Sequence, residues 1–292
     1  MTGCKEYFRY LLSIPVFVLL LSSCKVFENK KVASPKGYDL GHPHVIKLPT
    51  ELDEISGLAY YPKDTCVFAI VDEAGLLYKI FLHHPNDIQK WHFGDKADYE
   101  DLVLLDSNFY VLKSKGKIAA FHFITADTLA YSDYPLTAAG KGNEFEILYY
   151  DDKARKIGMI CKDCEVDKKK HLTGFTFDPF TFKYDTASFR INVGLIAELA
   201  GEEKMKFKPS AAAISPVTGE LFIVSSINKL LVVAHRDGKP KRVYKLDKGD
   251  FKQPEGIAFM PDGTLMISNE AAEHGVANIL VFPYNQANDQ KK

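Results

Sequence analysis

The sequence predicts an all-β protein, a single β-propeller of five four-stranded blades, and two observations lead to this prediction. First, a short phrase that opens mostly with a carboxylate or hydroxyl residue and continues with apolar residues recurs along the chain. Its copies begin at Ser56, Glu100, Glu146, Ser210 and Glu255, which are 44, 46, 64 and 45 residues apart. Second, the segments between the copies alternate apolar and polar residues and are divided by turn residues, as strands are. A period of about 45 residues with strand-like content is typical of a propeller with one copy per blade.

Each repeat divides into four expected strands, which in the first repeat cover residues 55–61, 66–71, 76–82 and 88–93. The fifth repeat stops one strand short, and we expect Val45-Ile46-Lys47-Leu48 to supply its outermost strand. Such closure joins the two ends of the domain and removes an open sheet edge. The 64-residue interval holds a helix-like insert at 194–205, which leaves room for a sixth, degenerate blade.

Composition narrows the class of protein. Hydrophobic residues make up 46% of the 292 residues, enough for a substantial core. The net charge of −1 does not indicate a nucleic-acid-binding surface. We also expect the protein to be a monomer. The G-x-S-x-G, P-loop and H-E-x-x-H motifs of common hydrolases and nucleotide-binding proteins are absent from the sequence.

The N-terminus has the pattern of an export signal. Lys5 and Arg9 precede an apolar run at 11–21, which is followed by Ser22-Ser23-Cys24. Leu-Ser-Ser-Cys resembles the bacterial lipoprotein box, in which the cysteine carries the lipid. The run is shorter than the ~20 residues of a spanning helix, which disfavours an uncleaved anchor. We therefore expect a signal peptide at 1–23, lipidated Cys24, a flexible tether at 24–44, the propeller at 45–285 and a polar tail at 286–292.

The expected location is the bacterial cell envelope, with the protein attached to a membrane through its lipid. Lys25 stands where an aspartate is associated with retention in the inner membrane, and this favours the outer membrane. Three cysteines remain in the mature domain: Cys66, Cys161 and Cys164. The C-x-x-C pair has three readings: plain strand and turn cysteines, a local disulfide, or redox or metal chemistry.

The first residues of the five repeats are expected to meet at one mouth of the central channel. Glu100, Glu146 and Glu255 are acids, and Glu54 lies two residues before Ser56 on the same strand face. Carboxylates crowded together repel and raise each other's pKa unless positive charge joins them. Calcium prefers six to eight oxygen ligands in irregular geometry, and no His or Cys at these positions supports zinc.

The residues allow other readings of this mouth. The acids are solvated or paired with lysines (Lys113, Lys162 and Lys208), or they serve in acid/base catalysis. Polar groups at the ends of the second strands, among them Asn269, are either turn formers or complete the site. The predicted metal ligands are Glu54, Glu100, Glu146, Glu255 and Asn269.

Several phrases taken together resemble the SdiA-regulated family of bacterial β-propellers. They are Glu54-Ile55-Ser56-Gly57-Leu58, Asp98-Tyr99-Glu100-Asp101-Leu102, Glu144-Phe145-Glu146, Lys208-Pro209-Ser210-Ala211, and Gln253-Pro254-Glu255-Gly256-Ile257-Ala258 with Ser268-Asn269-Glu270. The resemblance implies a calcium site on the propeller. We favour a module that binds an envelope or extracellular ligand, because no histidine at the channel positions is available as a catalytic base. The alternatives are a calcium-dependent lactonase or phosphoesterase and a scaffold without ligand.

Overall fold

The computed structural model describes residues 32–137, 142–272 and 275–286. The predicted signal peptide, Cys24, residues 25–31 of the tether and nearly all of the polar tail lie outside the described residues. Within the described ranges, no helix has the length and apolar character needed to cross a membrane.

Twenty strands of the described chain form five antiparallel sheets of four strands each. The first strand is β1 (His44–Lys47). Blade one contains β2 (Ile55–Tyr61), β3 (Cys66–Val71), β4 (Leu76–Phe81) and β5 (His84–His92). Blade two contains β6 (Tyr99–Leu105), β7 (Asn108–Lys113), β8 (Lys117–Thr125) and β9 (Thr128–Tyr134).

Blade three contains β10 (Glu144–Asp151), β11 (Lys156–Asp163), β12 (His171–Asp178) and β13 (Lys183–Asn192). Blade four contains β14 (Ala211–Ile214), β15 (Leu221–Ser225), β16 (Leu230–Ala234) and β17 (Pro240–Lys245). Blade five contains β18 (Pro254–Phe259), β19 (Leu265–Asn269) and β20 (Asn278–Phe282), with β1 as its outer strand. The predicted five-bladed propeller is confirmed.

Closure follows the prediction. Strand β1 runs antiparallel to β20, with Val45 opposite Leu280 and Lys47 opposite Asn278. The side chain of Ile46 packs into the apolar cluster between blades five and one, whereas Val45 faces outward. The last sheet is therefore completed by the first strand of the domain, which removes one of its open edges.

The insert before blade four does not form a sixth blade. It contains one helix, α1 (Val193–Ala200), which starts at the N-cap Asn192 and ends at Gly201 in the left-handed region, with φ 73°. The Asn192 side chain accepts a hydrogen bond from the backbone nitrogen of Leu195 and satisfies one helix-end donor. Helix α1 packs against β17 and β12, on the outer side of blades three and four.

The segment at 32–44, which we expected to belong to the tether, packs in part against the propeller. Tyr38 and Leu40 are buried with the cluster between blades four and five. The Tyr38 hydroxyl donates to the carbonyl of Gly263 at 2.7 Å, and its ring meets Phe222 edge-on. These contacts attach the chain to the domain several residues before β1 begins.

The core consists of apolar clusters between neighbouring blades, as expected for a propeller. The first strands of the five blades surround the channel and approach one another closely at one level. They are β2, β6, β10, β14 and β18. A Cβ added to Gly57 would lie 2.6 Å from the backbone nitrogen of Leu102 on the next blade. Two cavities lie on either side of Gly57 along β2, because Ser56 lines one and Leu58 lines the other. The first, of about 430 Å³, is apolar and lies at the C-terminal ends of the inner strands, where Tyr60, Leu104 and Met260 line it.

Candidate functional site

The second cavity lies at the N-terminal ends of the inner strands and has a volume of about 360 Å³. We call it the acidic cavity. Its lining contains seven carboxyl groups, two lysines and two serines: Asp72, Asp98, Glu100, Glu144, Glu146, Glu255, Glu270, Lys115, Lys162, Ser56 and Ser114. Three predicted ligands, Glu100, Glu146 and Glu255, are thus brought together at the mouth of the channel, as the repeat required.

A repeated backbone irregularity positions these side chains. On β6 the strand pairing shifts between Tyr99 and Asp101, so that Glu100 is the extra residue of a β-bulge. The pairing of β10 shifts across Glu146, and that of β18 shifts across Glu255, in the same way. Blade one has a register shift between Ile55 and Leu58, around Ser56. Bulges change the direction of a side chain relative to the regular alternation, and here they accompany each cavity residue on an inner strand.

The predicted ring is not complete. Ser210 begins the fourth repeat, but its hydroxyl donates to the carbonyl of Pro254 at 2.6 Å and accepts from the nitrogen of Ser226 at 3.2 Å. Ser210 therefore links blade four to blade five and does not line the acidic cavity. The hydroxyl of Ser226 hydrogen-bonds the Glu255 carboxylate.

Two predicted ligands lie outside the cavity lining. Glu54 is exposed, although its charge raises the pKa of the nearby Glu270. Asn269 is fully buried, and its amide nitrogen donates to the carbonyl of Asp250 and to Oδ1 of Asn278. Its Oδ1 has no hydrogen-bond partner among the described residues. The side chain that reaches the cavity from the end of β19 is the next one, Glu270.

Burial and the neighbouring negative charges raise the pKa values of three carboxyl groups in the acidic cavity. Burial, together with the charges of Glu146 and Asp98, raises the pKa of Glu100 to about 9. Burial and the charge of Glu146 raise the pKa of Glu255 to about 7. Burial and neighbouring acids likewise raise the pKa of Glu270 to about 8. Each shift means that the folded protein disfavours the ionised form of the carboxyl group, first through burial and then through the neighbouring negative charges.

Lys162 is the cation in contact with this group. Its ammonium forms an ion pair with the Glu146 carboxylate, and the two side chains are 21% and 15% exposed. Burial would lower the pKa of Lys162, but the bond to Glu146 and the charges of Glu255 and Glu100 outweigh it and raise the pKa. The other lysines considered from the sequence have different partners: Lys113 pairs with Asp133, and Lys208 pairs with Asp163.

The C-x-x-C pair forms a disulfide between Cys161 and Cys164, at the end of β11 and beside Lys162. Both sulfurs lie within 4.8 Å of an Asp167 oxygen, the only such metal-like grouping of three residues among the described ones. Because the two sulfurs are bonded to each other, they are not thiolate ligands, and this grouping is not a metal site in the oxidised protein.

The acidic cavity fits a hard divalent cation in chemistry and charge. Its lining offers carboxylate and hydroxyl oxygens as ligands, and seven acids face only two lysines. Calcium binds such oxygen sets and tolerates irregular geometry. The carboxylates are not already gathered to coordination distance, because no three of the described acids have oxygens within 4.8 Å of one another. Binding would require side-chain adjustment at the mouth.

Fold and site together define a five-bladed β-propeller with an acidic channel mouth. The family model named SdiA-regulated matches residues 43–274 of this chain. The chain belongs to that family. Comparison with curated protein sequences gives no match.

Solved structures resemble the chain in fold. Glutaminyl cyclase from Myxococcus xanthus superposes with a TM-score of 0.54 at 15% identity, over 86% of this chain and 99% of that one. A luciferin-regenerating enzyme gives a TM-score of 0.49 at 10% identity, over 83% and 95% of the two chains. Virginiamycin B lyase from Staphylococcus aureus gives 0.45 at 13% identity, over 85% and 77%. At such identities the likeness extends to the fold alone.

Proposed function

We propose that the protein is a lipid-anchored envelope propeller that binds calcium in the acidic cavity and uses that end of the channel to hold a ligand or partner. The observation that carries the calcium proposal is the excess of acid: seven carboxyl groups against two lysines in one cavity of about 360 Å³. The raised pKa values of three glutamates support it, because a divalent cation would offset their mutual repulsion.

The proposed ligands are Glu100, Glu146 and Glu255. Glu270, which directly follows the predicted ligand Asn269 in the chain, is a fourth. Glu54 and Asn269 lie outside the lining and are not included. When bound, calcium would supply positive charge and free coordination positions toward the solvent. A ligand with carboxylate, phosphate or hydroxyl oxygens would match those positions.

Calorimetry with calcium on EDTA-treated protein tests this proposal. Wild-type protein should bind calcium and show a higher Tm in its presence, because the ion binds only the folded state. Glu255→Gln should weaken binding at least tenfold. Glu73→Gln is the matched control, since the Glu73 side chain is 81% exposed and lies outside the lining. Absence of both binding heat and a Tm change at millimolar calcium would refute the site.

The membrane anchor rests on the sequence of residues 1–24 alone. Globomycin should shift the gel mobility of the protein in cells, and Cys24→Ser should release it from the membrane fraction. Unchanged fractionation of Cys24→Ser would reject the lipid anchor without bearing on calcium.

A calcium-dependent hydrolase is the second candidate, and one observation favours it. Glu255 has a pKa of about 7 and lies in a cavity, as a general acid or base would. A panel of aryl lactones and phosphoesters, with calcium and with EDTA, tests this candidate. Turnover that requires calcium and is lost in Glu255→Gln would make the protein an enzyme. No turnover in wild-type protein that binds calcium would leave the binding module.

A further inference from the structure

The acidic cavity contains a cation of its own, the ammonium of Lys162. It is bonded to Glu146, and the negative charges of Glu100 and Glu255 also act on it. All three glutamates are proposed calcium ligands. The positive charge of Lys162 therefore already offsets part of the negative charge that a bound metal ion would offset.

The position of Lys162 is fixed by the backbone around it. Cys161 and Cys164 are bonded to each other and are both buried, so they enclose Lys162 and Asp163 in a short covalent loop. The Cys161 sulfur lies 3.3 Å from the carbonyl oxygen of Glu144, and Asp163 pairs with Glu144 across the β10–β11 ladder. The Asp163 carboxylate is bonded in turn to Lys208 at 3.5 Å. Lys162 therefore enters the cavity from a strand end that a disulfide closes.

Lys115 provides an internal comparison. It lines the same cavity, but its side chain is exposed and it lies on the turn after β7. Lys113, two residues earlier, is bonded to Asp133 and to the Tyr131 hydroxyl, away from the cavity acids. Both Lys115 and Lys162 add positive charge at the mouth, yet the structure pairs Lys162 with a cavity glutamate.

We propose that Lys162 is an intramolecular counter-ion, which offsets part of the negative charge of the cation site while it holds no metal and is displaced from Glu146 when calcium binds. The inference rests on the proposed calcium site and adds its regulation. The ammonium occupies one carboxylate oxygen of Glu146, and two cations close together repel each other. Calcium must therefore compete with the lysine. The competition lowers the affinity and protects the calcium-free propeller from the repulsion of its own acids.

Calorimetric titration of calcium into EDTA-treated wild-type, Lys162→Met and Lys115→Met proteins tests the proposal. Both substitutions remove one positive charge from the mouth, but only the first removes a competitor for Glu146. We expect Lys162→Met to bind calcium at least tenfold more tightly than wild type, and Lys115→Met to change the affinity less than threefold. In EDTA, Lys162→Met should also have a lower Tm than Lys115→Met.

A second measurement uses unmodified wild-type protein and does not depend on the folding of any variant. Lysines are acylated briefly with an N-hydroxysuccinimide ester, and peptides are quantified by mass spectrometry. Lys162 should be protected in EDTA and become several-fold more reactive in calcium, while Lys115 keeps the same reactivity.

The outcomes separate this inference from the proposed function. If wild type binds calcium but Lys162→Met binds no more tightly than Lys115→Met, or if calcium leaves the acylation of Lys162 unchanged, the counter-ion role is wrong and the calcium site stands. If only Lys162→Met binds calcium, the counter-ion role is supported and the wild-type calcium site is rejected. If none of the three proteins binds calcium, both proposals fail.

Discussion

The carboxylate of Asp101 accepts a hydrogen bond from the backbone nitrogen of Leu148 at 2.8 Å, and this bond joins the inner strands of blades two and three. The other carboxylate oxygen accepts from the nitrogen of Leu102, also at 2.8 Å. Asp101 follows Glu100 directly. One residue thus faces the acidic cavity, while the next one fixes its blade to the neighbouring blade.

Replacing Asp101 should therefore destabilise the propeller. Asp101→Ala leaves two buried N–H groups without this acceptor, and we expect the free energy of unfolding to fall by about 2 kcal/mol. Asp127→Ala, at an exposed turn, is the control and should change it by less than about 0.5 kcal/mol. Urea denaturation gives both values. Equal midpoints for the two variants would show that the Asp101 bonds contribute nothing net.

The acidic cavity should make the stability of the metal-free protein depend on pH. Glu100, Glu270 and Glu255 have pKa values of about 9, 8 and 7 in the folded protein, above the ordinary value of 4.5. The folded state therefore holds more protons than the unfolded state within that range, and stability falls as pH rises. The contribution of these groups is complete below pH 4.5 and is lost by about pH 9.

Urea denaturation in EDTA at several pH values between 5 and 9 measures this slope. Glu100→Gln should flatten it, because glutamine does not ionise, whereas the exposed control Glu73→Gln should keep the wild-type slope. Saturating calcium should reduce the fall at high pH, since the ion binds the ionised carboxylates of the folded protein. A slope that is the same in wild type and Glu100→Gln would contradict the assignment.

The three cysteines of the propeller should differ in reactivity. Cys66 is buried, and burial raises the pKa of its thiol to about 11, so it has little thiolate near neutral pH. Iodoacetamide should label none of Cys66, Cys161 and Cys164 in the native, unreduced protein. After unfolding without reductant it should label Cys66 alone, and after reduction all three. Labelling of Cys161 or Cys164 in the unfolded, unreduced protein would show that the disulfide is absent.

Closure by β1 can be tested with two neighbouring residues. Ile46 is 8% exposed and packs against the cluster between blades five and one, whereas Val45 on the same strand is 46% exposed. Ile46→Ala should lower the free energy of unfolding by about 3 kcal/mol. Val45→Ala should lower it by less than about 1 kcal/mol. Thermal or urea unfolding distinguishes the two, and similar losses would mean that β1 is not seated in the core as described.

Local pattern was enough to predict most of the fold. The expected strands at 55–61 and 66–71 have the same bounds as β2 and β3, because the turn-forming residues Pro62 and Asp64 lie between them. The insert at 194–205 was correctly expected to be helical, and α1 occupies its first part. Apolar alternation and turn chemistry act within a few residues, and they determine strand positions in a propeller almost completely.

The candidate site was predicted only in part, since bulges shift which side chain faces the cavity. In a regular ladder Glu255 would pair with Asn269, because Gly256 pairs with Ser268 and Ile257 with Ile267. The bulge at Glu255 pairs Asn269 with Pro254 instead. Asn269 then turns toward Asp250, and the following residue reaches the cavity. A single extra residue in the register leaves no distinct signal in a sequence pattern.

The contact between Lys162 and Glu146 was one of three lysine pairings considered from the sequence, and the sequence did not distinguish among them. Their separation of sixteen residues spans a hairpin whose register includes two shifts. The disulfide was one of three open readings of the C-x-x-C pair for a similar reason. Whether two cysteines three residues apart meet depends on how the strand ends, and β11 ends in the turn that brings their Cα atoms to 5.8 Å.

The pairing of β1 with β20 also sets the order in which the molecule can be completed. Strand β1 is the first of the described strands, and its partner lies more than 230 residues later in the chain, so the last sheet cannot be completed until nearly all the sequence is available. Contacts between such distant segments form slowly, because a long loop must close before they contribute. Until then β1 and its partner β20 in blade five expose unpaired strand edges, which can pair with other chains. Completion of the fifth sheet is therefore a late step of ring closure, whereas the other four sheets consist of consecutive strands.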